Sequence, residues 1–288
     1  MRSGRSFIRH SSKSLTRVIP TIFTGEVDPL QTMDSKKKVG KMETKDKARI
    51  EIRKGDQRFL TRMGWLDSKH SFSFGPHYDP DNIGHGLLIV NNDDIVRPGT
   101  GFMTHPHQDM EIVTWVLDGE LEHKDSEGNK GIIYPGLAQR MSAGTGIWHS
   151  EMNPSGKKPV HFVQMWVLPD TERIKPGYEQ LDIGRELEKG GLVQIASGKG
   201  DNSAISIRQK DAVLWVGRLK PGQSATIPEA SYVHLFVAKG SVELEGAGIL
   251  KAGDAARLTA VGTPRITADT KAGTEVLIWE SNQEIKTR

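Results

Sequence analysis

Two short patterns carry the chemistry this sequence can offer. His105-Pro106-His107 follows the turn-like Gly99-Thr100-Gly101, and His149-Ser150-Glu151 follows Ala143-Gly144-Thr145-Gly146. On an extended strand, residues two apart face the same way at a spacing of about 6.5–7 Å. Two imidazoles so placed can converge on one ion, each at about 2.0–2.1 Å. The second pattern adds a third nitrogen and a carboxylate oxygen. Such a set, with no thiolate, suits a six-coordinate first-row metal that keeps open positions. The candidate metal residues are therefore His105, His107, His149 and Glu151. Glu111 is a competing carboxylate, because 105, 107 and 111 share strand parity just as 149 and 151 do. With ten histidines in 288 residues a lone H-x-H is weak evidence. Two such patterns, each behind a glycine turn, weigh more.

The elements that must position these residues read as short strands. Glu111-Ile112-Val113-Thr114-Trp115-Val116-Leu117 stops at Asp118-Gly119, a hairpin-type turn pair. His161 to Leu168 is a second β-branched and aromatic run, closed by Pro169-Asp170. Helical periodicity is scarce, and Asp182 to Lys189 is its best short stretch. Val213 to Val216, Tyr232 to Val237, Val242 to Glu245 and Val276 to Trp279 are strand-like again. The run Val233 to Gly240 followed by Ser241 to Glu245 echoes Ile112 to Gly119 followed by Glu120 to His123. Strand, glycine turn, strand thus occurs twice, which predicts two similar antiparallel β-barrels of jelly-roll type, an all-β chain with few short helices. The join falls near Pro169 to Gly191. The expected division is 1–47 as a disordered extension or linker, 48–180 as the metal-bearing barrel, and 181–288 as a barrel without metal.

Composition narrows the function classes. The chain has 39 basic and 36 acidic side chains, a formal net charge of +3, so nothing points to nucleic acid as a partner. It has no cysteine, which excludes disulfides, thiolate metal sites and cysteine nucleophiles. No run approaches the roughly 18 apolar residues of a membrane span. Met1 to Thr24 contains Arg2, Arg5, Arg9, Lys13 and Arg17 with several serines and no acid. That segment reads as a solvated tail, a start site placed too far upstream of Met33 or Met42, or an organelle transit peptide. A cytoplasmic monomer is the expectation, with organelle targeting as the alternative.

The residues also resemble a known family. Gly99-x5-His105-x-His107-x3-Glu111 resembles the first cupin motif, and Gly146-x2-His149-x3-Asn153 resembles the end of the second. Thr104-His105-Pro106-His107, Met141-Ser142-Ala143-Gly144-Thr145-Gly146-Ile147 and His149-Ser150-Glu151 are similar to the pirins, particularly the bacterial ones. Gly64-Trp65-Leu66-Asp67-Ser68-Lys69-His70 and Gln164-Met165-Trp166-Val167 fit the same family, so the resemblance spans roughly Ile50 to Glu280. Two departures from the general cupin pattern, a seven-residue gap between Glu111 and Gly119 and Gly144 where proline is usual, both agree with pirins. The resemblance implies a bicupin with one iron in the N-terminal barrel, and quercetin 2,3-dioxygenase activity on a flavonol and O₂. Its alternative is a non-enzymatic, redox-sensing co-regulator acting through a protein partner. It implies Glu151 rather than Glu111 as the carboxylate ligand, with Glu151 also the catalytic base. Fe(II) is the expected metal, with Cu, Mn, Ni, Co or Zn as alternatives.

The remaining candidates are weaker. His70, His77 and His85 lie in loop-rich text and read as surface or structural residues. His123, before Lys124-Asp125, reads as solvent-facing, and His161 and His234 as core histidines. Trp115, Trp148 and Trp166 fit core positions at strand spacing. Trp148 and Phe102-Met103 could alternatively line an apolar mouth.

Overall fold

The structure, a computed structural model, describes residues 47–285, so the extension's expected disorder or targeting role lies outside the described residues. Four sheets make up the described chain. In the first half a seven-stranded sheet runs in the order Gly177–Asp182, Leu137–Ser142, Glu111–Asp118, Val160–Val167, Leu88–Val96, Leu66–His70, Phe59–Arg62. It faces a four-stranded sheet in the order Gly101–His107, Ile147–Met152, Leu121–Asp125, Lys130–Ile133. The second half repeats this with a seven-stranded sheet centred on Tyr232–Lys239 and Thr274–Ser281 and a four-stranded sheet containing Ser241–Leu244 and Arg265–Ala268. Pairing is antiparallel except where Ala196-Ser197 runs parallel to Ile205-Ser206. The all-β, two-part reading holds. Each half, however, is a pair of facing jelly-roll sheets with free edges instead of a hydrogen-bonded closed barrel.

The burial pattern explains why some strands read as continuous apolar text and others alternate. The two seven-stranded sheets share one core, which joins Val113, Trp115, Val163 and Met165 of the first to Leu214, Phe236, Leu277 and Trp279 of the second. A strand covered on both faces has no reason to alternate. Accordingly all of Glu111–Leu117 is buried. The strand Ile147–Met152 is covered on one face only, and its burial alternates with period two. Polar bonds tie the halves as well: Trp115 Nε1 donates to Glu275 Oε1 at 2.7 Å, and Lys239 Nζ donates to the Leu117 carbonyl at 2.6 Å.

Two local features depart from a simple reading of the text. Arg49–Arg53 pairs with Ala255–Thr259, so this first described strand completes the large sheet of the second half. Its Ile50 and Ile52 pack on that half's own apolar interior, which accounts for the exchange. The short helix narrows to Gly184–Glu188, between the last strand of the first sheet, Gly177–Asp182, and Gly191–Ser197 of the other.

Candidate metal centre

Three imidazoles meet inside the first half. The strand Gly101–His107 delivers His105 and His107, and Ile147–Met152 delivers His149 directly opposite His105. The second strand is launched by a tight turn in which Gly144 has φ +48° and a Cβ there would collide with the Ile174 carbonyl oxygen, so only glycine fits. Ring centroids lie 4.4 Å apart for His105–His149, 4.9 Å for His105–His107 and 5.0 Å for His107–His149. One nitrogen from each falls within 4.8 Å of the others.

Glu151 is next on the same buried face and is 2% exposed. A bulge between His149 and Glu151 shifts its register, so that it stands opposite Phe102 on one side and His123 on the other. It joins His149 and His123 within 4.8 Å, in a second donor group overlapping the first. Its carboxylate is held from the facing sheet: Gln164 Nε2 donates to Oε1 at 2.9 Å and to Oε2 at 2.8 Å. Gln164 Oε1 in turn accepts from Trp166 Nε1 at 3.0 Å, and the Trp166 ring stands edge-on to His107 at 4.9 Å.

The electrostatics favour neutral imidazoles at His107 and His149. Burial, reinforced by neighbouring histidines, drives His107 down to about 3 and His149 down to about 2. Neither has to give up a proton near neutral pH before coordinating an ion. His105 Nδ1 donates to the Met103 carbonyl at 2.7 Å, which leaves Nε2 for the cluster. His107 Nε2 and both nitrogens of His149 are buried with no hydrogen-bond partner. Buried polar atoms without partners are costly and uncommon. A metal ion would satisfy His107 Nε2 and one nitrogen of His149, with His105 Nε2 beside them, so the residues fit one mononuclear divalent ion.

The structure redistributes several sequence expectations. Glu111 is buried on the opposite face of the large sheet, where its Oε2 accepts from Ser142 Oγ at 2.9 Å and from the Arg208 backbone N–H at 3.0 Å. It stitches the two halves and takes no part in the histidine cluster. His123 does not face solvent: it is 1% exposed, with its ring 5.3 Å from that of His149. Trp148, 54% exposed, sits on the outer face of its strand, away from the cluster. Met103 is exposed, and Phe102 packs edge-on against Trp65 at 5.1 Å. Phe102 also lies beside His105, with ring centroids 6.4 Å apart, and Trp166 stands beside His107 with Phe74 next to it at 5.5 Å. His70 is buried, and both its Nε2 and that of His77 meet Thr61 Oγ1, at 2.9 and 3.0 Å. His85 Nε2 donates to the Leu258 carbonyl, and His161 pairs with Asp93. His234 is buried in the shared core beside Phe72 with neither nitrogen bonded.

In the sequence Gln164 and Trp166 stand out only as part of the family resemblance and, for Trp166, as a core position, because their strand Val160–Val167 is otherwise mostly apolar text. The interior of the second half, lined by Val233, Leu235, Val237 and Ile278, is apolar. Open grooves of about 460 and 350 Å³ occur there, lined around Trp215 and Arg218, and neither touches the histidines.

Comparison with known proteins places the chain in one family. Residues 52–167 match the Pirin family model, and residues 194–280 match the model described as the quercetinase C-terminal cupin domain. A Mycobacterium tuberculosis H37Rv protein named "Putative quercetin 2,3-dioxygenase Rv0181c" is 55% identical over 83% of this chain and 97% of its own length. Quercetin 2,3-dioxygenase of Escherichia coli K12 is 39% identical over 80% of this chain and 98% of its own. The crystal structure of the bacterial pirin YhhW from Escherichia coli in complex with nickel(II) aligns with a TM-score of 0.75 at 36% identity. That alignment covers 82% of this chain and all of the other.

Proposed function

This chain belongs to the pirin family, and on that premise we propose that it is a metal-dependent dioxygenase that opens a flavonol such as quercetin with O₂. In this reading His105, His107, His149 and Glu151 hold one divalent ion, Fe(II) in the working enzyme. The observation that carries it is the convergence of three imidazoles, with buried nitrogens of His107 and His149 left unbonded by the protein and the buried Glu151 carboxylate within reach of His149. When bound, the ion supplies redox capacity and Lewis acidity.

The chain's own groups do the rest. Glu151 accepts the flavonol hydroxyl proton on a carboxylate oxygen, leaving the substrate as an electron-rich anion that O₂ oxidises more readily. Gln164, through its two hydrogen bonds to Glu151, fixes the direction of that carboxylate. Trp166 offers an aromatic edge beside His107 against which a planar ring can rest. Ile112, Met141 and Ile147 pack as a buried apolar cluster in the same half.

Aerobic incubation with quercetin tests the proposal. Loss of the flavonol absorbance should require metal and should fail in Glu151→Gln. A folded, metal-loaded protein that leaves flavonols intact would refute it.

A second reading, an iron-dependent interaction protein, draws on one observation. Trp148 and Met103, 54% and 71% exposed, flank the histidine-bearing strands on the outside and could meet a partner. Metal-dependent capture of a partner without O₂ uptake would favour that reading.

A further inference from the structure

His123 is built like a metal ligand, although nothing in the proposed ion-binding set requires it. It extends from Leu121–Asp125, the strand beside the one that carries His149 and Glu151, and it stands opposite Glu151 in register. Its Nε2 meets Asp125 Oδ2 at 3.1 Å, and both side chains are buried, at 1% and 0% exposure. Asp125 itself cannot swing, because it also accepts from the backbone N–H groups of Glu127 and Asn129 and from Asn129 Nδ2. A histidine that gives one N–H to an anchored carboxylate presents its other nitrogen, here Nδ1, as a strong and oriented donor. Of the four histidines in this cluster, His123 alone has a carboxylate partner.

His149 is the residue the two donor groups share. Its ring lies among those of His105, His107 and His123, and neither of its nitrogens is committed to a hydrogen bond. No protein contact therefore fixes which nitrogen it presents. The two groups differ in access. His105 and His107 are half-buried, whereas His123, His149 and Glu151 are all buried.

We propose that the centre has two overlapping metal positions. One is the outer position of the proposed function, with His105, His107 and His149 as its nitrogen donors, and the other is an inner position in which His123 joins His149 and Glu151. An ion arriving from solution meets the half-exposed outer histidines first, and the inner trio gives it a second, enclosed place to bind. This rests on the reading of the cluster as a metal centre.

The test is Ni(II) binding by titration calorimetry, with elemental analysis, on the full-length chain. Wild type should take up nickel, and its failure to do so would remove the metal reading altogether. His105→Ala/His107→Ala deletes the outer position at two half-exposed residues. It should still take up one equivalent, more weakly than wild type. Adding His123→Ala should weaken that remaining binding by roughly tenfold or more, equivalent to about 1.4 kcal/mol. Circular dichroism and thermal melting of the metal-free variants check that each is folded. The inference is overturned if the folded double variant has no saturable nickel binding, or binds it equally with and without His123. Co(II) absorption supplies a second readout: the double variant's visible bands should change when His123 is removed, and unchanged bands count against the inner position.

Discussion

Gln164→Leu probes the support of the centre without touching a proposed ligand. One amide group donates to both oxygens of a buried carboxylate, at 2.9 and 2.8 Å. A hydrogen bond to a charged group is worth roughly 1.5–3 kcal/mol. Because a single Nε2 serves both oxygens, the pair counts as one interaction of about 2 kcal/mol. If the bond serves to aim Glu151 at the ion, its loss should weaken metal affinity by about 30-fold, at 1.4 kcal/mol per factor of ten. That value lies within the 10–100-fold typical of groups that orient ligands. Leucine keeps the volume but leaves Trp166 Nε1 without its acceptor, so the stripped protein should also lose about 1–3 kcal/mol of stability. Competition with a chromogenic chelator for Ni(II) measures the first effect, and urea unfolding of stripped protein measures the second. A folded Gln164→Leu protein with affinity within about threefold of wild type would refute the argument, since that is below 1 kcal/mol.

Two further outcomes follow from buried polar groups. Burial, abetted by the charges of Asp93 and Glu151, pushes Asp94 from the usual 3.8 up to about 7 in the metal-free protein. The unfolded chain ionises this group first, so the folded state loses stability as pH rises from about 4 through 7; the full penalty is about 4 kcal/mol at 1.36 kcal/mol per pH unit. Asp94→Asn should therefore stabilise the stripped protein at pH 8 and change little at pH 4, read by thermal melting at both; equal shifts would contradict it. Trp115→Phe removes the 2.7 Å bond to Glu275 across the shared core. It should cost about 1–3 kcal/mol in urea unfolding and leave metal stoichiometry unchanged; reduced metal content would contradict the separation of core from site.

The histidine pairs were legible in the sequence because period two survives along a single strand. The carboxylate choice was not, for a local reason. Between His107 and Glu111 the chain turns through Asp109, whose φ is +47°, and passes from the four-stranded sheet to the seven-stranded one. Parity counted across that turn carries no information about facing, and Glu111 ends in the seam between halves. His123 was misread from its charged neighbours, although its strand alternates, with Leu121 and His123 buried and Lys124 exposed. Gln164 and Trp166 were hidden because their strand is covered on both faces, which erases the alternation. That same double coverage made the central strands easy to find and their partners impossible to assign. The exchange of Arg49–Arg53 into the far sheet left no local mark.

Metal content per chain, measured on His149→Ala beside Glu111→Gln after dialysis, tests the centre most directly. The geometry predicts one retained equivalent in Glu111→Gln, as in wild type, and none in His149→Ala, which breaks both donor groups. A folded His149→Ala protein that keeps its metal, or a folded Glu111→Gln protein that loses it, would contradict the assignment of this cluster as the metal centre.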